Sequence, residues 1–473
     1  MATDRVRAAA RGINQLHRRF AGCFRRQESR AHSRVYLRGL MLAEGRKNVE
    51  AIALEFAERR DDHPVGQNEV LNLQGFLTES PWDPADVQRE IQATFAEELV
   101  PSAANGSMGV VGVLDGSSFV KRGSESVGVK RQWCGRLGKT ENCQVAEFLI
   151  GVTPDGCVAL DQQLYLPHEW IADKSRRNKT RVPKPLTYRS QNQIALDLLR
   201  RVASNGHVHF DWVTADAHYG DDGELLDALE SDSQRYLLEG RAEKTFWTVD
   251  PASQVPDYAG AGRPPSRAGR DHVQSAKAIA EGLQPTDWHA LKLREGAKGP
   301  LVFEFARLRV WSVRHRKPGP ATWLMIRRSL DKKNPEIKYY VSNADEQTPL
   351  EMMALVSGTR WRIEEYLEQA KGELGMADYE ARAWTSWHHH MSLVALAHLF
   401  VTLTKRDVKE EFPELTLPMA MRLLKSTMSR PTLTEEEALR LTEYHLHRNA
   451  VARKSHRKSW LRKHKKLKPK PLL

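Results

Sequence analysis

Apolar residues recur at helical spacing through the first hundred positions; from residue 108 onward they gather in short unbroken runs separated by turn residues. The first regime predicts helices at residues 34–42, 49–56, 70–78 and 86–99. The last of these is opened by Asp83-Pro84-Ala85-Asp86, whose carboxylates suit the positive end of a helix dipole. The second regime predicts buried strands at 108–114 (MGVVGVL), 127–133, 144–151 and 157–165. A helix over 191–202, carrying Ile194, Leu196, Leu198 and Leu199, leads into a strand at 209–215 (HFDWVTA). A helix at 222–229, a strand at 236–239 and a Pro-, Gly- and Arg-rich loop at 258–270 come next. Residues 300–341 are strand-rich, with turns at Lys317-Pro318-Gly319-Pro320 and Lys332-Lys333-Asn334-Pro335. A helix around residue 364, an apolar helix at 387–404 and further helices over 417–441 complete the chain. The pattern is α/β, with helices at its start and a β-rich stretch late in the sequence.

Length and composition fit two or three domains of an ordinary globular protein: 473 residues, 40% hydrophobic and 28% charged. The charge is unevenly spread. Residues 1–34 hold nine Arg against Asp4 and Glu28, and residues 453–473 hold ten Lys or Arg and no acid. Of the net +12, the ends carry +7 and +10, which leaves −5 for residues 35–452. Like-charge blocks of this kind are usually disordered and bind polyanions, so nucleic acid is the expected partner, ahead of an anionic membrane. Trp460 inside the basic tail can stack on a base or lie over the surface. Cys23, Cys134, Cys143 and Cys157 show neither paired nor zinc spacing and read as free thiols in a reducing compartment. No apolar run approaches the ~18 residues of a membrane span, and the expected location is cytoplasmic.

The candidate chemistry starts from Arg360, Glu364 and Lys371. Offsets of 4 and 11 along a helix bring all three within about 40° of one another, displaying one carboxylate between two cations. A solvated helix with one ion pair, worth a few tenths of a kcal/mol, would look the same. Upstream, Asp115 and Asp216 each fall where a predicted strand stops, the position from which α/β sheets present chemistry; strand-end aspartates also serve as plain turn formers. His388-His389-His390 point about 100° apart in succession and cannot share one ion, so they are expected at the surface or against DNA.

Five ordered segments give these residues a context: VLDGSSFVKRG at 113–123, VGVKRQWCGRLGKTENCQVAEFLIG at 127–151, LYLPHEW at 164–170, TADAHYG at 214–220 and RWRIEEYLEQAKGELGMADYEARAWTSWHHHMSL at 360–393. Together they resemble bacterial insertion-sequence transposases of the DDE class, in the branch marked by a Tyr-x2-Arg-x3-Glu-x6-Lys signature. Arg360, Glu364 and Lys371 match three of its four positions, and Ser357 stands where the signature has Tyr. The resemblance spans about residues 36–404.

It implies a ribonuclease-H-like catalytic core with a five-stranded mixed sheet, a helical N-terminal domain and a β-rich insertion. Asp115 would be the first catalytic acid, on the first strand, Asp216 the second, on the fourth strand, and Glu364 the third, on a later helix. The corresponding divisions are a basic arm (1–34), a helical DNA-binding domain (35–104), a split core (105–240 and 346–405) around the insertion (241–345), a helical region (406–452) and a basic tail (453–473). The three acids would hold two Mg2+ ions, with Mn2+ as a substitute, and Asp115 bridging them; paired ions activate the attacking oxygen and stabilise the leaving one. Arg360 and Lys371 would grip phosphates, and Lys130, Arg131 and Asn142 would line the DNA channel. The implied activity is binding of element ends, cleavage, and joining of 3′ hydroxyls to target DNA by a dimer on double-stranded DNA in the nucleoid. The competing readings are an inactive or domesticated descendant that binds DNA without cutting it, and a nuclease that does not join strands.

Overall fold

A computed structural model describes residues 12, 15–57, 66–104, 108–253, 255, 257, 260, 272–296, 299–331, 333–428 and 434–463. Its centre is one mixed sheet. The first strand, β1 (Val111–Val120), pairs antiparallel with β3 (Lys139–Thr153) through ten consecutive residue pairs, and β3 pairs in turn with β2 (Lys130–Cys134) and β4 (Gly156–Leu164). On its other side β1 lies parallel to β5 (Trp212–Ala215), which lies parallel to β6 (Tyr236–Gly240). Leaving β2 aside, β4, β3, β1, β5 and β6 form a five-stranded mixed unit. The apolar runs VVGVL and EFLIGV fill its interior, since strands covered on both faces read as nearly unbroken apolar stretches.

Beyond β6 the same sheet continues. Strand β12 (Ile337–Ser342) pairs antiparallel with β6 from Tyr339 opposite Gly240 to Ser342 opposite Leu237. Next come β11 (Lys317–Ser329) and β10 (Gly299–Arg314), the latter flanked by β7 (Thr245–Trp247) and β9 (His289–Gly296), with β8 (Val273–Ser275) against β7. The β-rich stretch is therefore hydrogen-bonded into the core sheet. Of the predicted loop at 258–270, only residue 260 is described.

The helix Trp384–Asp407 runs against β4 and buries most of its length, from Trp387 and Met391 through Leu399 and Val401. It is buried on every side, as expected of an interior helix, with Ser386, His389, His390, Ser392 and His398 among its covered residues. Three amino-terminal helices pack on it, Gln27–Leu42, Gln67–Thr78 and Pro84–Glu98, and Val49–Phe56 packs on the first two of these. Their starts obey local rules, since Asn48 caps one through its side chain to Ala51 N and Asp83 caps another ahead of Pro84.

Four expectations are corrected. The basic arm does not run free to residue 34, because Phe20 and Phe24 are fully buried and a helix begins at Gln27; apolar residues between the arginines anchor it. The basic tail is ordered through Lys463 as the end of the long helix Glu435–Lys463; residues 464–473 lie outside the described residues. His389 and His390 are fully buried. Finally, β1 does not stop at Asp115 but runs five residues past it, because the SSFV segment pairs with β3. Cys23, Cys134, Cys143 and Cys157 are free and buried, and no helix among the described residues is long and apolar enough to cross a membrane.

Candidate active site

The parallel register of β1 and β5 sets the first two acids side by side. Val113 lies opposite Thr214, and two residues further along each chain come Asp115 and Asp216. Asp115 stays within its strand, its Oδ1 accepting from Gly116 N at 2.8 Å. Asp216 follows β5 and caps the short helix Ala217–Gly220, its Oδ1 accepting from His218 N at 2.9 Å. That helix seats tightly on β6: a Cβ on Gly220 would lie 2.0 Å from the Glu239 carbonyl oxygen, so only glycine fits. Burial first, and then the charge on Asp216, push the Asp115 carboxyl up to about 7.

Glu364 arrives from the helix Trp361–Glu373, and Asp115, Asp216, Glu364 and Lys371 all line one cleft of about 1000 Å³. Within it the third acid is engaged by a cation. Arg360 Nη2 donates to Glu364 Oε1 at 2.5 Å, while its Nη1 lies 3.9 Å from Asp115 Oδ2 and its Nε 3.6 Å from Glu239 Oε2. One guanidinium thus serves three carboxylates. The Glu364 side chain is 56% exposed, against 17–20% for Arg360, Asp115 and Glu239, so Glu364 is the member with room to turn. Lys371 takes no carboxylate: its Nζ donates to Ser117 Oγ at 2.6 Å and to Ser118 O at 3.4 Å, and burial lowers its proton affinity to about 8.

The donor chemistry suits a hard cation in part. Asp115 and Asp216 offer oxygen ligands and repel each other, the condition a divalent ion relieves. Among the described residues, however, no three His, Cys, Asp or Glu side chains are gathered closely enough to hold an ion, and Glu364 faces Arg360 instead.

The other residues singled out from sequence divide. Lys130 lines the cleft and pairs with Glu169. Arg131 is exposed, with one long bond to Thr140 O at 3.5 Å. Asn142 spends its amide on the carbonyls of Lys121 (2.7 Å) and Gly123 (2.9 Å), outside the cleft lining. Ser357 is buried at the end of the helix Leu350–Ser357, its hydroxyl donating to Ala354 O at 2.7 Å. Trp361 lies beneath Arg294, whose guanidinium is 4.0 Å from the ring centre.

Sequence reasoning missed Glu147, Tyr219, Glu239 and Arg241. Glu147 is buried opposite Gly116, accepts from the Tyr219 hydroxyl and from Gln191 Nε2 at 2.8 Å, and burial pushes its carboxyl up to about 7. Its signal was a lone acid inside the apolar run QVAEFLIG. Tyr219 and Arg241 line the cleft, and Glu239 backs Arg360.

Residues 19–300 match the family described as DDE superfamily endonuclease. The chain is also 25% identical over 324 residues to a probable transposase for insertion sequence element IS701 from Microchaete diplosiphon, covering 67% of this chain and 70% of that protein.

Proposed function

This chain belongs to the DDE superfamily of endonucleases, and from that premise we propose that it is a transposase which binds the ends of a DNA element, cleaves them, and joins the 3′ hydroxyls to target DNA as a dimer on the duplex. The observation carrying this reading is the Asp115–Asp216 pair, set by the β1–β5 register in a cleft that Glu364 and Lys371 also line. The five-stranded mixed unit, with one acid on its first strand and the next after its fourth, supports a ribonuclease-H-like core over 105–240 and 346–405.

Asp115 and Asp216 would hold Mg2+ or Mn2+, with Glu364 joining once Arg360 releases it. When bound, paired divalent ions activate the attacking oxygen and stabilise the leaving oxygen at phosphorus. The chain's own side chains do the rest. Lys371, propped by Ser117, offers an ammonium to a backbone phosphate. Arg360, freed from Glu364, offers a fork that fits two phosphate oxygens. Tyr219 and Gln191 fix Glu147 beneath Gly116, where a Cβ would approach Glu147 Oε1 to 3.3 Å and so no larger side chain sits comfortably.

Full-length protein with a duplex carrying the element's ends and Mg2+ tests this reading on denaturing gels. Asp115→Asn, Asp216→Asn and Glu364→Gln should each lower strand cleavage by at least about a hundredfold, with DNA affinity within a factor of two of wild type. Wild-type cleavage by Asp115→Asn would remove the site. The Arg360–Glu364 pair and Ser357 favour one alternative, a descendant that binds DNA without cutting it. Calorimetric titration with Mn2+ separates the two, because a pure DNA binder has no use for a metal-binding acid pair.

A further inference from the structure

Behind the helix Trp361–Glu373 lies a second cavity, of about 210 Å³. Arg362, Glu365 and Gln369 line it from that helix; measured from Arg360 they stand at about 200°, 140° and 180° around the axis, opposite the face that carries Glu364 and Lys371. The β3–β4 turn supplies Asp155, and the far end of the helix Trp384–Asp407 supplies His398, Thr402 and Lys405, with Lys409 just beyond it. Nearly every polar group here is matched. Arg362 Nη1 donates to Glu365 Oε2 at 2.8 Å, and Gln369 Nε2 donates to Glu365 Oε1 at 3.0 Å. Gln369 Oε1 lies 3.3 Å from His398 Nε2 and Thr402 Oγ1 lies 3.3 Å from His398 Nδ1, so the ring donates to the amide and accepts from the hydroxyl. Lys409 Nζ donates to Asp155 Oδ1 at 2.7 Å, and Arg406 is taken by Glu98 and Asp407.

Lys405 is the exception. It is half-buried and has no hydrogen bond or ion pair among the described residues. Glu365 attracts its ammonium but is already engaged by Arg362 and Gln369, while Arg362 and Lys409 repel it; burial is the strongest influence and lowers its proton affinity. An ammonium held partly out of water without a partner is unfavourable, and an anion entering the cavity relieves it. A tetrahedral oxyanion has enough acceptor oxygens to take Lys405 while sharing Arg362 with Glu365 and Lys409 with Asp155; a carboxylate, with two oxygens, serves fewer of these donors. The volume suits one such ion with its water and is below that of an ordinary organic-ligand pocket. We propose that this cavity is a binding site for a small free oxyanion of the phosphate class, held by Lys405 with Arg362 and Lys409 beside it. The site lies on the reverse of the Glu364 helix and goes beyond the DNA chemistry of the cleft.

Full-length protein at fixed ionic strength, with inorganic phosphate replacing chloride and no divalent metal added, provides the test. Phosphate should raise the melting temperature of wild type and bind in equilibrium dialysis with a Kd of about a millimolar or tighter. Lys405→Gln should weaken that binding at least about tenfold and lose the phosphate-dependent rise in melting temperature. In chloride alone it should melt at or above the wild-type temperature, because it removes a repelled, partly desolvated cation. Lys409→Gln, at an exposed position, should weaken phosphate about threefold and gives a second reading that does not depend on the first variant. Wild type that takes up no phosphate, or Lys405→Gln and Lys409→Gln variants that take it up as wild type does, would overturn the proposal. So would a Lys405→Gln protein whose log K for duplex DNA falls less steeply with log salt than that of wild type, since the cation would then serve a backbone phosphate. Strand cleavage, which tests the transposase reading, enters none of these measurements.

Discussion

At the scale of the residue, Arg360 holds the balance of the cleft. It links Glu364, Asp115 and Glu239, and removing it should have two opposite effects. Arg360→Gln frees Glu364 and removes a cation from beside Asp115, so Mn2+ affinity measured by calorimetry should rise about tenfold; without the phosphate grip, kcat/KM for cleavage should fall by about the same factor or more. Unchanged Mn2+ affinity would show that Glu364 does not compete between the guanidinium and the ion. Spacing alone revealed that Arg360, Glu364 and Lys371 share a face, because helix geometry fixes that. Their partners were hidden: Lys371 reaches back to Ser117 across 254 positions, and no local pattern encodes such a contact. Asp115 was read as a strand end because Gly116 and the two serines after it are poor strand formers; the ladder with β3 overrides that preference.

At the scale of the element, the helix Trp384–Asp407 shows how polarity on paper misleads. The His389 ring lies between the carbonyls of Leu77 and Trp82, 2.9 Å from each, and as a neutral imidazole donates to one of them, while the Trp82 ring stacks on it at 3.7 Å. His390 pairs with the Tyr36 hydroxyl at 2.9 Å and lies 3.3 Å from Met376 O. These rings fasten the amino-terminal helices to the core, a role that depends on residues hundreds of positions away and leaves no periodic trace. Burial lowers the proton affinity of His389 to about 4 and of His388, His390 and His398 to about 3. The unfolded chain takes up protons near pH 6.5 while the folded one does not, so stability is full above that pH and drains away on acidification toward pH 4. Melting temperature should therefore drop steeply between pH 6.5 and 4, and His390→Gln should make the drop shallower while lowering the plateau at pH 8 through the lost Tyr36 contact. A flat profile would contradict neutral, buried rings. The strands were easier to read, because apolar runs such as VVGVL and FLIGV signal burial without needing a partner.

At the scale of the molecule, the basic ends flank an acidic body, and the structure turns part of the carboxyl end into a rod. Arg453, Lys454, Arg457, Lys458 and Arg462 stand exposed on the helix Glu435–Lys463, whose middle is tied down by Tyr444 and Arg448 to Glu50. If these five cations meet phosphates, a chain ending at residue 452 should bind element DNA with a log K against log salt slope shallower by about 4 to 5, measured by fluorescence anisotropy. An unchanged slope would leave the rod without a role in DNA binding. Charge bookkeeping over the sequence pointed to a polyanion partner, but not to the helix, since like charges at close spacing ordinarily resist regular structure.

The β6–β12 ladder has a bearing on biosynthesis. Asp115 and Asp216 leave the ribosome well before β12 and the Glu364 helix, which lie more than a hundred residues downstream of the second acid. A polypeptide released early carries two acids without the third and exposes the bare edge of β6, a template for aggregation and an invitation to proteases. If Glu364 is the third catalytic acid, as proposed, abortive translation products would be both unable to cut DNA and short-lived, and the capacity to cut would come only once the Glu364 helix is made.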